Sequence, residues 1–318
     1  MPRPTLMRIA VPKDFDFVRA VCSYGYFLLA PNLWRPETLS LLRVFDPAEG
    51  GLEGERLSTE IDQPGGRGAP VRVRCDRPLA AAERAFVRRA LARMLRVEDD
   101  LARWRRLNPA AKRRGFGRLF RSPTLFEDMV KTITSCNVGW TSTIRMNELL
   151  VELVGEGAFP TAERLARWTP ARLQKRCRVG YRAKRIIGLA RRFDRGEVDP
   201  VWFESPQRST DELREAILAL DGFGPYAAAN VLQTLGHYDH LPIDTETYRH
   251  YCHMTGRSRP ANDKELDPLI EARYARFGPY PFLAYWFELW RDYERRHGDA
   301  WTWEPRTTGR SFTASKLK

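Results

Sequence analysis

A mainly α-helical chain with an N-terminal α+β part is the architecture implied by three patterns in these 318 residues. From Leu79 onward apolar residues recur at helical spacing, first as Phe86, Ala90, Leu91, Met94 and Leu95, with arginines on the opposite side. Before that point, short apolar runs alternate with glycine and proline breaks, the pattern of brief strands joined by turns. Further on, Ser209 to Tyr251 reads as helix, tight glycine turn, helix, loop, and a lone aspartate opening another helix.

The N-terminal strands are expected at Phe15–Val21, Tyr24–Leu29, Leu39–Phe45 and Val71–Cys75, separated by Gly50, Gly51, Gly54 and Pro64-Gly65-Gly66. Lys112-Arg113-Arg114-Gly115 reads as a loop and Ser122-Pro123 as a helix start, followed by a core helix over Phe126–Ile133. That helix runs into Ser135-Cys136-Asn137-Val138-Gly139-Trp140, polar and glycine-containing in mid-domain. Pro160 to Arg195 reads as two more helices with a turn at Cys177–Tyr181. The organisation is therefore an antiparallel-sheet domain with a linking helix over 1–112, a helical domain over 113–304, and a basic, flexible tail over 305–318 with four basic residues and no acid.

Charge narrows the partner. Fifty-three basic and 40 acidic residues leave +13, with a pI near 9.8, which favours an anionic partner without specifying a fold. The charge is bunched. Ala81 to Arg121 carries 13 basic and 4 acidic residues, and Arg172 to Arg195 carries 10 and one, as a surface that tracks a phosphate backbone requires. No apolar run is long enough to cross a membrane, and a membrane partner is not expected. The five scattered cysteines (22, 75, 136, 177 and 252) fit free, mostly buried thiols in a reducing compartment. Neither a C-x-x-C nor an H-x-x-x-H pair offers a zinc site.

In the Ser209–Tyr251 stretch, Ser209 and Glu212 form an S-x-x-E capping box, and Leu213, Ala216, Ile217 and Leu220 share one face. Asp221-Gly222-Phe223-Gly224 makes the turn, where glycine permits positive φ and leaves backbone N–H groups uncovered. Pro225 opens the second helix, Ala228, Val231, Leu232 and Leu235 repeat the spacing, and Gly236 ends it. Outward-pointing amides at that helix start, aided by the helix dipole, suit a phosphate. An ordinary helical hairpin would look the same. Asp244, placed 20 residues after Gly224 in Pro242-Ile243-Asp244-Thr245, is what favours a functional site.

GFGPYAAANVL followed by LPIDTET resembles the helix-hairpin-helix (HhH-GPD) DNA glycosylase superfamily. Three further segments are similar to its 8-oxoguanine and 3-methyladenine branch: FEDMVKTITSCNVGWTSTIRM (Phe126–Met146), VGYRAKRI (Val179–Ile186) and FGPYPFLAYWFELW (Phe277–Trp290). The resemblance implies an HhH-GPD helical fold with a small antiparallel β domain in front, and a monomer acting on double-stranded DNA that carries a damaged base. It implies a DNA backbone grip at Gly222, Phe223, Gly224 and Tyr226, with Asn137 and Trp140 in the minor groove during base flipping. The base pocket would be formed by Tyr285, Trp286 and Leu289, with Asp244 as the catalytic carboxylate. The cytoplasm and nucleoid, or a nucleus, are the implied location.

The resemblance also sets the chemistry. Losing a purine builds positive charge on the deoxyribose, and a carboxylate near C1′ stabilises that cation or orients the attacking water. Asp244 is equally well placed to cap the helix from Thr245 to His253, and one residue can do both. Members that also cut the strand carry a lysine two residues after the second hairpin glycine, where this chain has Tyr226, so base removal without strand cleavage is implied. A glutamine and a phenylalanine that read 8-oxoguanine are matched by Tyr285 and Leu289, a departure that argues against simple 8-oxoguanine reading; an alkylated or oxidised purine is the expected substrate class. No cofactor is implied: the four clustered cysteines of iron–sulfur members are absent after the hairpin, where only Cys252 occurs. A structural Na+ or K+ on the carbonyls of Leu220 and Gly222 is implied. A noncatalytic hairpin DNA-binding protein and a bifunctional glycosylase/lyase are the competing readings.

Overall fold

A computed structural model describes residues 4–308. Five strands, β1 (Leu6–Ile9), β2 (Asn32–Arg35), β3 (Ser40–Phe45), β4 (Leu57–Asp62) and β5 (Val71–Cys75), form one antiparallel sheet in the order β1-β5-β4-β3-β2. The registers pair Leu6 with Arg74, Thr59 with Cys75, Leu41 with Ile61 and Trp34 with Leu41. Leu41, Phe45, Leu57, Ile61, Val71 and Val73 alternate inward, as strands with one covered face require.

Two expected strands are corrected. Residues 17–21 form a short helix, because Asp16 accepts the N–H of Arg19 at 3.1 Å and so caps a helical turn. Residues 25–28 form a 3-10 turn rather than a strand. Pro109–Arg114 is also a helix rather than a loop, capped by Asn108 and closed by Gly115 at φ 67°.

The principal helices are α1 (Ala81–Leu95), α2 (Leu125–Ser135), α3 (Trp140–Leu153), α4 (Arg182–Asp194), α5 (Thr210–Leu218), α6 (Pro225–Leu235), α7 (Thr245–Thr255), α8 (Asp267–Ala275) and α9 (Pro281–His297). Two buried apolar clusters hold them. One gathers the inner face of the sheet, α1 and the helices after residue 238, including Phe282, Leu289, Trp290 and Trp303. The other lies among α2 to α6, including Met129, Leu150, Ile186, Ile217 and Val231. Helix α2 is buried almost throughout and lies between them. Of the expected tail, Pro305–Thr308 is a helical turn, and the remainder lies outside the described residues.

Polar bonds fasten the sheet to α2. Arg43, at an inward position of β3, pairs with both oxygens of Glu127 at 3.0 and 2.7 Å, and Lys131 meets the same carboxylate at 2.6 Å. On the other flank Arg93 of α1 bridges Asp128 at 2.7 Å and Glu204 at 2.6 Å. Burial opposes ionisation of Glu127, but the charges of Arg43 and Lys131 outweigh it and hold the carboxyl well below the usual carboxylate range. Glu127→Gln would leave Arg43 and Lys131 buried around a neutral group. The expected loss is about 3–5 kcal/mol of unfolding free energy, checked by urea denaturation.

Candidate active site

The hairpin joins α5 to α6. The Ser209–Glu212 capping box is formed, with reciprocal bonds of 3.2 and 2.8 Å. Gly222 sits at φ 97°, and a Cβ there would lie 2.5 Å from Cδ of Arg185, so the turn needs glycine on two counts. A Cβ at Gly224 would meet nothing, and the start of α6 is open. Phe223 buries its ring in the core, leaving only its main chain for the outer surface. Leu220 directs its carbonyl to the N–H of Phe223 at 3.2 Å.

Opposite the hairpin, the α2–α3 loop is pinned from behind. Arg182 is buried and donates to the carbonyls of Cys136 and, at 3.2 Å, Asn137. Asn137 adopts φ 51° with its side chain exposed, donating to the Tyr181 hydroxyl at 3.4 Å. Tyr181 is 51% exposed, and the guanidinium of Arg185 lies 5.0 Å from its ring centre. Asn137, Tyr181 and the hairpin are thus linked through Arg182 and Arg185.

Asp244 is the N-cap of α7. Its Oδ1 accepts the N–H groups of Glu246 (3.0 Å) and Thr247 (2.9 Å) and the Thr247 hydroxyl (3.0 Å), while Oδ2 accepts none among the described residues. The Thr247 hydroxyl also lies 3.0 Å from that of Tyr285, which ties the cap to α9. Burial raises the pKa of Asp244 above the ordinary carboxylate value. The Thr247 bonds oppose that rise and the Glu246 charge adds to it.

Asp244 opens onto a cavity of about 160 Å³. Its walls are aromatic: Tyr24 and Tyr26 from the N-terminal part, Trp140 from α3, Tyr226 from α6, and Tyr285, Trp286, Trp290 and Tyr293 from α9. Trp286 and Trp290 stack with centroids 5.6 Å apart, and their indole N–H groups are spent on the carbonyls of Ser23 (2.9 Å) and Cys22 (3.0 Å). Leu289 completes that wall. Asn230, also in the lining, is satisfied internally, by the Tyr24 hydroxyl at 2.7 Å and the Tyr226 carbonyl at 2.9 Å. A second carboxylate, Glu246, is held by Arg249 at 2.6 and 2.8 Å and by the Tyr293 hydroxyl at 2.8 Å. No lysine or arginine lines this cavity among the described residues.

The structure therefore brings Asp244, Trp140, Tyr226, Tyr285, Trp286 and Leu289 to one cavity and keeps Asn137, Gly222 and Gly224 outside it. Tyr226 is placed differently from a backbone grip. Its side chain lies in the cavity, where burial and the Asp244 charge push its phenol up. Trp140 likewise lines the cavity, against Gly25, apart from exposed Asn137. Sequence reasoning missed Tyr24, Tyr26, Glu246, Tyr293 and Tyr181. Tyr293, at i+8 from Tyr285 and i+4 from Leu289, shares their helix face and could have been found that way. Tyr24 and Tyr26 have no local signal, since only tertiary packing brings them in.

No protein-family model matches the sequence, and no curated protein matches it. Solved structures do. A 3-methyladenine DNA glycosylase from Archaeoglobus fulgidus superposes with a TM-score of 0.65 at 16% identity, over 91% of this chain and 99% of that one. MBOgg1 in complex with a low-affinity DNA ligand gives 0.65 at 19% identity, over 94% and 98%. The 8-oxoguanine glycosylase/lyase of Clostridium acetobutylicum in its apo form gives 0.61 at 16% identity, over 91% and 100%. With the small antiparallel sheet in front and the hairpin set beside a half-buried aspartate, this chain has the helix-hairpin-helix DNA glycosylase fold.

Proposed function

We propose that the protein is a monofunctional DNA N-glycosylase that removes a damaged purine, as a monomer on duplex DNA in base-excision repair. The observation that carries this reading is Asp244, capped on one oxygen and open on the other, at an aromatic cavity beside a bare-backbone hairpin. The hairpin amides and the basic α4 surface would hold the phosphates. Asn137 and Tyr181, exposed and linked to each other, would fill the space left by the extruded nucleotide.

Inside, the base would stack on tyrosine and tryptophan faces. The unpaired Asp244 carboxylate, the aromatic faces and the lack of a cationic side chain in the lining make the cavity more favourable to a positively charged, alkylated purine than to a neutral one, Glu246 being paired with Arg249. As the glycosidic bond lengthens, positive charge gathers on the sugar, and the free oxygen of Asp244 would lie against it. Tyr226 occupies the place where an imine-forming lysine would be needed. Of the two other lysines near enough in sequence to weigh, Lys131 is buried in its pair with Glu127 and Lys184 is exposed outside the cavity.

Asp244→Asn keeps the cap's shape and removes the charge. Base release from duplexes carrying single damaged bases should fall by about three orders of magnitude or more, with duplex binding retained. Release at the parental rate would overturn the assignment. Abasic product should be cut only after alkali, and incision without alkali would refute the monofunctional reading. Asp244 must be ionised to act, so kcat should fall as pH drops through its raised pKa, and the acid limb should lie above 3.8. Gly222→Ala, forced to positive φ against Arg185, should weaken duplex binding and cost about 1–3 kcal/mol of stability, read by filter binding and thermal melting.

A further inference from the structure

Helix α9 has a second lined face. Tyr285, Trp286, Leu289 and Tyr293 look into the aromatic cavity, whereas Glu288, Arg291 and Arg295 line a separate recess of about 230 Å³. At 100° per residue these two sets lie on opposite sides of the helix, so the recess is separate from the cavity. Arg273, Arg276 and Phe277, from the end of α8 and the turn after it, form the facing wall.

Four guanidiniums and one carboxylate thus meet in one recess. Arg273 is committed to Glu288, at 2.9 and 3.0 Å, and Glu288 is further held by the Tyr274 hydroxyl at 3.0 Å and by His250 at 3.2 Å. Arg295 reaches Asp292 at 3.2 Å. Arg276 and Arg291 have no ion pair among the described residues. Each lies instead over an aromatic ring, Arg276 at 4.9 Å from the centre of Phe277 and Arg291 at 5.6 Å from that of Phe287. Ring contact steadies a guanidinium and leaves its N–H edge free, the state in which arginine binds an oxyanion through a fork.

We infer that the recess between α8 and α9 is a second anion site, which takes a phosphoryl group carrying two negative charges. Two uncompensated arginines match that charge, and the half-buried Phe277 gives an attached organic group an apolar edge. The site does not depend on the glycosylase reading, because it shares no lining residue with the aromatic cavity.

The test is isothermal titration of the full chain at low ionic strength with AMP, inorganic phosphate and adenosine, each with and without undamaged duplex. One AMP or phosphate should bind whether or not duplex is present, and adenosine should not. Tighter binding of AMP than of phosphate identifies an organic ester as the ligand, and equal binding identifies the free ion. Arg276→Gln/Arg291→Gln should weaken binding by roughly tenfold or more at an unchanged melting temperature. Arg291→Lys, which keeps the charge and loses the fork, should fall between. Equal affinity in the double variant, displacement by duplex, or binding of adenosine as tight as that of AMP would overturn the inference.

Discussion

The chemistry available to the cavity rests on one carboxylate kept in place in half-dry surroundings. Burial works against a charge at Asp244, and the two backbone amides and one hydroxyl at the start of α7 work for it. All three fall on the same oxygen, so the cap leaves the other carboxylate oxygen without a partner among the described residues. Thr247 carries more than its size suggests. Its hydroxyl contacts Asp244, the carbonyl of Pro242 at 3.1 Å and the Tyr285 hydroxyl, fixing the cap against the helix that forms the opposite wall.

That wall is only as well placed as the parts behind it. Tyr24 and Tyr26 enter the cavity from the N-terminal part, and the Tyr26 hydroxyl meets Thr132 of α2 at 2.8 Å. Helix α2 is in turn tied to the sheet by Arg43, Glu127 and Lys131. A buried ionic group of this kind contributes little net stability when compared with apolar packing, but it tolerates few alternative arrangements. It joins the sheet to the same helix that receives the Tyr26 hydroxyl, so the sheet, α2 and one wall of the cavity are in direct contact.

The hairpin and the Asp244 cap could be read from the chain because their causes are local. A capping box, a glycine pair, a proline at a helix start and a helical repeat each act within a few residues. The same holds for the sheet's β3 and β5. Residues 17–21 escaped because an apolar run looks alike in a strand and a buried helix, and the deciding bond, from Asp16 to Arg19, depends on a single side chain. The helix at Pro109–Arg114 had its signals, Asn108 before it and Gly115 after it, obscured by a run of positive charge. The cavity was readable only on its α9 side. Tyr24, Tyr26 and the indole bonds to Cys22 and Ser23 span more than 200 residues of sequence, and no local pattern encodes them.

The apolar cluster around the sheet takes in both early and late parts of the chain, from Met7 to Trp303, whereas the cluster among α2 to α6 is complete by residue 232. During synthesis the strands can already be met by α1, Phe86 against Phe45 at 5.8 Å, and the central helices can gather their own contacts, while the part of the first cluster that α9 supplies has to wait until that helix emerges from the ribosome. The aromatic wall that α9 gives the cavity is thus among the last surfaces available to close.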